Sequence, residues 1–215
     1  MEQLVVFGKG GFGREVMWLI DESNKGAPKY DILGFVDDTV AAQGAVVNGH
    51  PVIGTIDFLI NYPSAISVVV AVGNSLNRKG IVERLQANRH ISFPTVIAVD
   101  AIHSNLVQFG EGCIICSSSI ITVNVTLGDF VVVNLACTIG HDARISDFVS
   151  LAPTVNVSGG VDIGTCTEIG TGSQIIPGKH IGEHTIVGAG SVVVKDIPPR
   201  CTAVGTPARP IKVIA

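Results

Sequence analysis

Charge is scarce in this chain of 215 residues. Only 15% of the residues are charged, the net charge is −4, and Lys and Arg form no run. Nucleic acids and anionic membrane surfaces attract clustered cations, so the composition disfavours both as partners and favours a small-molecule ligand. Aromatic residues are also few, at 5%, although 47% of the residues are hydrophobic. Such an apolar chain needs its flat surfaces covered, so we expect a homo-oligomer.

Long apolar runs are missing as well. No stretch approaches the roughly 18 uninterrupted apolar residues that a membrane span requires. The chain begins Met1-Glu2-Gln3 and continues directly into an apolar run over 4–7, without the pattern of a secretory leader. Five cysteines, an odd number, suit a reducing compartment. These features predict a cytoplasmic protein.

What the chain does contain is a repeat of six residues. A helix repeats its apolar positions every three or four residues and a strand every two, so a period of six indicates a coil with six-residue sides. That pattern is typical of a hexapeptide β-helix, with the large aliphatic residue pointing inward. The aliphatic residue recurs fourteen times in succession, at Ile115, Ile121, Leu127, Val133, Ile139, Ile145, Leu151, Val157, Ile163, Ile169, Ile175, Ile181, Val187 and Val193.

Other positions of the repeat support the coil. The residue four places after each aliphatic is small or of modest size, with Lys179 as the exception. Glycine often follows the aliphatic residue directly, as at Gly140 and Gly164, and we interpret it as relieving strain at a sharp corner. Pro198 and Pro199 are expected to stop the repeat, because proline cannot donate to a strand ladder. The tail that follows is expected to fold back across the coil.

The first part of the chain has a different pattern. Strand-like runs over 4–7, 32–36 and 66–72 alternate with helical stretches over 13–21, 56–60 and 76–87. Alternation of this kind is typical of βαβ units in a parallel sheet. We therefore predict a Rossmann-like α/β domain over 1–94 and a parallel β-helix domain with a C-terminal tail over 95–215.

Gly8, Gly10 and Gly13 form a G-x-G-x-x-G string between the first predicted strand and the first predicted helix. In that context, missing side chains let the helix N-terminus approach a phosphate. Asp37 and Asp38, at the end of the second strand, stand where such a fold holds a ribose. Fewer than a hundred residues make only half of a dinucleotide site, so a mononucleotide or nucleotide-sugar is favoured over NAD. The alternative is that the glycines only shape a tight turn and the aspartates cap it.

His141 and Asp142 follow Ile139-Gly140 at a coil position from which side chains can project outward. Imidazole titrates near neutral pH and can remove a proton from an attacking amine or hydroxyl. A neighbouring carboxylate orients such a ring and raises its basicity. We interpret His141 as a candidate general base supported by Asp142. The alternative is a solvated corner histidine.

Two metal or redox alternatives are less favoured. Cys113 and Cys116 form a C-x-x-C string, but both fall on the coil repeat, where cysteine acts as a small apolar residue. His141, His180 and His184 could in number make a zinc site. They lie two, five and three places after the inward aliphatic residue, so they are not expected to converge. We predict no metal.

Six short sequence blocks follow one another along the chain. They are Gly8-Lys9-Gly10-Gly11-Phe12-Gly13-Arg14-Glu15-Val16, Gly34-Phe35-Val36-Asp37-Asp38, Val72-Gly73-Asn74, Gly140-His141-Asp142, Ser158-Gly159-Gly160-Val161 and Gly205-Thr206-Pro207-Ala208-Arg209. In this order they resemble the sialic acid O-acetyltransferase and bacillosamine-pathway N-acetyltransferase family of hexapeptide sugar acyltransferases, and the resemblance covers essentially the whole chain. It implies a left-handed β-helix, an exception to the usual crossover rule, and a homotrimer with acetyl-CoA bound between neighbouring coils.

The resemblance also implies roles for individual residues. Phe12 and Ser150 stand where the family commonly has histidine, which affects a sugar or phosphate contact and the contact to the acetyl carbonyl. The implied sugar-nucleotide contacts are Gly10, Gly11 and Phe12 along the ligand, Asp37 and Asp38 at the base or ribose, and Gly73 at the third strand. The implied acetyl-CoA contacts are Ser150, Gly159, Thr171, Ala189 and Arg209.

The resemblance and the residues together predict an acetyl-CoA-dependent N-acetyltransferase. Its acceptor would be a UDP-, dTDP- or GDP-linked 4-amino-4,6-dideoxyhexose, attacked directly with His141 as base, in glycan synthesis. Two alternatives stay open at this point. One is an O-acetyltransferase of sialic acid or another sugar hydroxyl, and the other is a non-catalytic oligomer that binds a nucleotide-sugar.

Overall fold

The computed structural model describes residues 1–39 and 42–213. The chain divides into two compact units, Met1–Val99 and Asp100–Ala215, which are considered one at a time below. The domain assignment of 1–94 and 95–215 stays a prediction. Within the described residues, no helix combines the length and the apolarity that crossing a bilayer would demand.

The first unit is built on a six-stranded sheet with strand order β3-β4-β2-β1-β5-β6. The central strand β1 pairs in parallel with β2 and β5, as the alternating pattern predicted. Strands β3 and β4 form an antiparallel hairpin at the edge, which was not predicted. The elements are β1 (Glu2–Phe7), α1 (Gly11–Asn24), β2 (Tyr30–Val36), β3 (Val46–Val47), β4 (His50–Gly54), α2 (Ile56–Ile60), β5 (Ile66–Val70), α3 (Ser75–Leu85) and β6 (Ile91–Ser92).

The second unit consists mainly of two-residue strands. They follow one another along the chain as β7 (Val96–Ile97, just before the unit boundary), β8 (Ile102–His103), β9 (Gln108–Phe109), β10 (Ile114–Ile115), β11 (Ile120–Ile121), β12 (Thr126–Leu127), β13 (Val132–Val133), β14 (Thr138–Ile139), β15 (Arg144–Ile145), β16 (Ser150–Leu151), β17 (Asn156–Val157), β18 (Asp162–Ile163), β19 (Glu168–Ile169), β20 (Gln174–Ile175), β21 (His180–Ile181), β22 (Ile186–Val187), β23 (Val192–Val193), β24 (Cys201–Val204) and β25 (Arg209–Val213).

These strands stack into three sheets. From β8 to β23 they pair in parallel with strands 18 residues away, as Ile114 does with Val132. Sheet I contains β10, β13, β16, β19, β22, β24 and β25 within this unit; sheet II contains β8, β11, β14, β17, β20 and β23; sheet III contains β9, β12, β15, β18 and β21. The unit is a left-handed parallel β-helix, which confirms the predicted fold class.

The interior of the coil confirms the predicted direction of the aliphatic residues. All fourteen repeat positions from Ile115 to Val193 are at most 2% exposed. The small companion positions are buried too, for example Val131 and Ala143 at 0%. Buried companions with hydroxyls keep them bonded, since Thr167 Oγ1 donates to the carbonyl of Gly182 at 2.8 Å. The core of the coil is therefore its lumen.

The predicted reason for the repeated glycines is wrong. The left-handed backbone lies at the third residue after the inward aliphatic, where thirteen successive positions from Ser118 to Gly190 have φ between 53° and 71°. The glycines that directly follow the aliphatic residue do not have this conformation. A Cβ on Gly140 would lie 2.6 Å from the backbone nitrogen of Gly159, and Gly164 is similarly placed against Glu183. Close approach of the next turn excludes a side chain there.

The prolines do not end the coil at once. Ile197 forms an isolated parallel bridge with Ile181, and β24 pairs in parallel with β22. The coil therefore continues for part of a further turn. Strand β25 then pairs antiparallel with β24, which confirms the prediction that the tail folds back.

Candidate active site

His141 and Asp142 lie on the corner between sheets II and III, directly after β14 and Gly140. His141 Nδ1 lies 2.8 Å from Asp142 Oδ2. The side chains are 67% and 60% exposed, so neither points into the lumen. A carboxylate can only accept, so Nδ1 of the neutral ring carries the hydrogen and Nε2 is left as the basic nitrogen.

Asp142 is held on both of its oxygens. Oδ2 contacts His141, and Oδ1 accepts a hydrogen bond from Asn124 Nδ2 at 3.2 Å. The bond to His141 is the main reason why the pKa of Asp142 lies below its ordinary value, with Asn124 as the next contributor. The carboxylate is therefore anionic near neutral pH, the state that supports a basic imidazole.

Gly159 lies one turn further along the coil, beside the His141 ring. A Cβ at Gly159 would stand 2.5 Å from both Cε1 and Nε2 of the imidazole. Only glycine leaves room for the ring at this place. The His141 imidazole therefore packs against the backbone of Gly159, and a side chain at position 159 would displace it.

The other residues assigned to acetyl-CoA lie on sheet I or on the corner that follows it. Ser150 is a half-buried residue of β16. Thr171 and Ala189 occupy the same corner position one turn apart, and a Cβ on Gly170 would lie 2.5 Å from the Ala189 nitrogen. Arg209 begins β25 and is exposed, with its guanidinium donating to the carbonyl of Ala208 at 2.9 Å.

Within one chain, the site residues of the coil thus form two groups. His141, Asp142 and Gly159 share the corner between sheets II and III, whereas Ser150 belongs to sheet I. Nine residues separate His141 from Ser150, which is half of the 18-residue spacing between paired strands. A single coil does not bring the two groups to one corner.

The histidines considered for zinc are dispersed. His180 lies in β21 of sheet III, and His184 lies on the next corner with a φ of 53°. Among residues 1–39 and 42–213, no three His, Cys, Asp or Glu side chains are grouped to hold a metal ion. Cys113 and Cys116 are buried in the coil, as are the other three cysteines. Burial raises the pKa of the Cys137 thiol to about 11.

In the first unit, packing requires some glycines of the Gly8–Gly13 segment but not others. A Cβ on Gly13 would lie 1.7 Å from the carbonyl oxygen of Gly8, and Gly8 itself has a φ of 100°. These two glycines let α1 pack against the end of β1. Gly10 has no atom within 4 Å of its Cβ position, and Gly11 has only the end of a flexible arginine at 3.9 Å. Packing does not require glycine at these two positions, and half-buried Phe12 follows them.

Asp37 organises the loops at the end of β2. Its Oδ2 accepts the backbone N–H of Lys9 at 3.0 Å, and its Oδ1 accepts that of Thr39 at 2.9 Å. Partial burial acts to raise the pKa of Asp37, but the donors from Lys9 and Thr39 outweigh it, so this pKa lies below its ordinary value. Asp38 accepts the backbone N–H of Ile56 at 2.8 Å and so satisfies the start of α2. Capping, the alternative considered for the aspartates, therefore does occur.

Gly73 is exposed in the loop after β5, and no atom lies within 4 Å of its Cβ position. Sequence reasoning missed the residue that holds this loop. Arg78 in α3 is 1% exposed, and its Nη1 donates to the carbonyls of Val72 at 2.7 Å and Gly73 at 3.1 Å. Nothing in the sequence indicates that Arg78 is buried, because a single arginine in a helix usually faces solvent.

Comparison with known proteins gives matches over both units. The family model for the PglD N-terminal domain matches residues 3–85. The GDP-perosamine N-acetyltransferase of Escherichia coli O157:H7 is 32% identical over 214 residues, covering 96% of this chain and 95% of that protein.

Solved structures agree in fold over the same extent. The acetyltransferase domain of PglB from Neisseria gonorrhoeae FA1090 in complex with acetyl coenzyme A has a TM-score of 0.89 and 35% identity, covering 98% of this chain and 99% of that one. PerB from Caulobacter crescentus in complex with CoA and GDP-perosamine has a TM-score of 0.87 and 30% identity, covering 98% of each chain.

Proposed function

Since the chain belongs to the sugar acyltransferase family that includes GDP-perosamine N-acetyltransferase, we propose that it transfers acetyl from acetyl-CoA to the amino group of a nucleotide-linked amino sugar. The acceptor class is a UDP-, dTDP- or GDP-linked 4-amino-4,6-dideoxyhexose. The observation that carries the proposal is the exposed His141–Asp142 pair, whose free imidazole nitrogen lies beside Gly159. An amine rather than a hydroxyl is favoured because the relative from Escherichia coli O157:H7, which matches over 96% of this chain, is an N-acetyltransferase.

The residues of the coil fit this chemistry. Acetyl-CoA would supply the acetyl group as a thioester. As the amine attacks the thioester carbon, His141 Nε2 accepts the proton that the amine loses, and Asp142 stabilises the imidazolium through Nδ1. The C–S bond then breaks, and CoA leaves as the thiol after the imidazolium returns the proton to sulfur. Ser150 would donate its hydroxyl to the acetyl carbonyl, and Gly159, Thr171 and Ala189 would hold the pantetheine arm, with Arg209 at a CoA phosphate. All five cysteines are buried, so direct transfer fits better than a thiol acyl-enzyme.

In the first unit, the sugar nucleotide would lie at the start of α1. Gly10, Gly11 and Gly73 leave open space beside their backbones, which suits close approach of a phosphate or sugar. Phe12 would lie along the ligand, and Asp37 and Asp38 would meet the base or ribose with lone pairs not used in capping.

We further propose a cytoplasmic homotrimer with active sites between subunits. The two groups of coil residues on different corners support it, because a neighbouring copy can place its sheet I beside the His141 corner of the first. Five cysteines without disulfides suit a reducing compartment. Sedimentation equilibrium tests the assembly, and a monomer that retains full activity would contradict it.

An acceptor panel tests the reaction. The purified protein is given acetyl-CoA with UDP-, dTDP- and GDP-linked 4-amino sugars, their 4-hydroxy counterparts and sialic acid, and release of free CoA thiol is followed. Turnover confined to an amino sugar supports the proposal. Turnover with hydroxy sugars alone would indicate O-acetylation. No turnover together with no acetyl-CoA binding by calorimetry would indicate a non-catalytic binding protein.

A further inference from the structure

Asn124 lies on the His141 corner, one turn before Asp142. Both residues occupy the third place after an inward aliphatic, with φ of 56° and 59°. The Asn124 amide donates to Asp142 Oδ1 at 3.2 Å across 18 residues of sequence. Asp142 Oδ2 is the oxygen that contacts the imidazole. The side chains of Asn124, Asp142 and His141 therefore form one chain of contacts.

The coil itself does not require asparagine at this position. Although asparagine tolerates the left-handed conformation well, the equivalent places hold Phe130, Ala136 and Thr154 with φ between 55° and 59°. The backbone turn is thus compatible with several side chains. Contact with Asp142 is what distinguishes Asn124 from these neighbours.

We propose that Asn124 is a positioning residue for acetyl transfer, which fixes the Asp142 carboxylate so that it orients His141 with Nε2 free. This inference rests on the proposed function and adds a residue to it. An exposed carboxylate without a second partner can rotate away from the ring, because each solvent-exposed contact is weak. A bond to each oxygen removes that freedom.

The charges around the Asp142 carboxylate determine how a change at Asn124 alters the pH dependence of activity. The charged groups that act on Asp142 are His141 and Arg144, and Asn124 is neutral. Replacing Asn124 by Asp keeps the shape but adds a second negative charge beside the pair. That charge stabilises the imidazolium, so a higher pH is needed to free the base. Removing the amide loosens Asp142 and acts in the opposite direction.

The experiment compares Asn124→Gly and Asn124→Asp with the wild type in steady-state assays between pH 5.5 and 9. Glycine removes the amide and accepts the left-handed backbone without strain. For Asn124→Gly we expect kcat to fall about tenfold, with KM for acetyl-CoA within about twofold. The acidic limb of kcat/KM should move to lower pH for Asn124→Gly and to higher pH for Asn124→Asp, by about half a unit each.

Ser118→Ala is the matched control. Ser118 occupies the same place in the repeat on another corner, with a φ of 61°, and its Oγ donates to Asp100 Oδ2 at 3.2 Å one turn away. This variant loses a comparable hydrogen bond and should keep wild-type kcat and pH profile.

The outcomes separate this inference from the proposed function. Asn124 variants with wild-type kcat and an unmoved limb would overturn the positioning role, even where His141→Ala is inactive. So would a loss of activity with an unmoved limb and a lowered melting temperature, because that would indicate a structural role. An active His141→Ala would instead exclude His141 as the base, and a lack of turnover with every acceptor of the panel would overturn the proposed function.

Discussion

Equivalent corner positions recur every six residues along the coil, whereas each loop of the α/β unit occurs only once. In the coil, the many equivalent positions therefore reveal what the backbone alone demands. His141 and Asn124 both contact Asp142, and the backbone does not require these contacts. In the α/β unit, no such background exists, so packing and binding roles must be separated one contact at a time. A side chain with a role beyond folding is therefore easier to recognise in the repeated coil than in the α/β unit.

In the coil, the largest loss of activity is expected for His141→Ala. Loss of the general base should lower kcat by about a hundredfold or more, while acetyl-CoA affinity stays nearly unchanged. Steady-state kinetics with calorimetric binding of acetyl-CoA measure the two effects. A variant that keeps most of its kcat would exclude His141 as the base.

In the α/β unit, two glycine variants separate a packing role from a binding role. Gly13→Ala places a Cβ 1.7 Å from the Gly8 carbonyl, and we expect a loss of about 2 to 3 kcal/mol in the free energy of unfolding. Gly10→Ala meets no atom within 4 Å and should leave stability unchanged while raising KM for the sugar nucleotide. Urea unfolding followed through Trp18, the chain's one tryptophan, measures the first effect. Equal stability losses would show that both glycines serve packing only.

A smaller effect is expected at Gly159. The new Cβ in Gly159→Ala would lie 2.5 Å from the His141 ring, which can move, so kcat should fall about tenfold with little change in melting temperature. Gly164→Ala is the control, since its Cβ would lie 2.5 Å from the Glu183 backbone nitrogen and should lower the melting temperature instead. If Gly159→Ala is destabilised as much as Gly164→Ala, the space beside the ring has a packing role.

The smallest effect concerns pH and Asp37. Because its pKa is lowered in the folded chain, its stabilising contribution is present above the unfolded value of about 4 and disappears as the pH falls through the lower folded value. Asp37→Asn should cost about 1 kcal/mol at pH 7, after allowance for partial exposure, and progressively less below about pH 4. Urea titrations at several pH values test this. A difference that stays constant with pH would mean that the charge of Asp37 does not contribute.

Much of the coil site could be found from sequence. The six-residue period placed His141 on an outward corner, and the 18-residue turn that separates Asn124 from Asp142 could have indicated their contact. The hairpin between β3 and β4 was also missed, although Asn48-Gly49, with φ of 48° and 87°, is a strong turn signal. The buried Arg78 had no comparable signal, because the carbonyls of Val72 and Gly73 come within reach of its guanidinium only in the folded loop.

The sequence alone determined the βαβ order, the β-helix and the inward aliphatic residues, because periodic burial of apolar side chains is a local pattern that each turn repeats. Only the tertiary structure decided why the corner glycines are needed and which side chains meet across turns. Those facts depend on distances between residues far apart in sequence, such as the 2.5 Å that would separate a Cβ on Gly159 from the imidazole of His141. The periodic pattern along the chain predicts the fold elements, whereas the contacts across turns and the need for glycine at the corners follow only from positions in space.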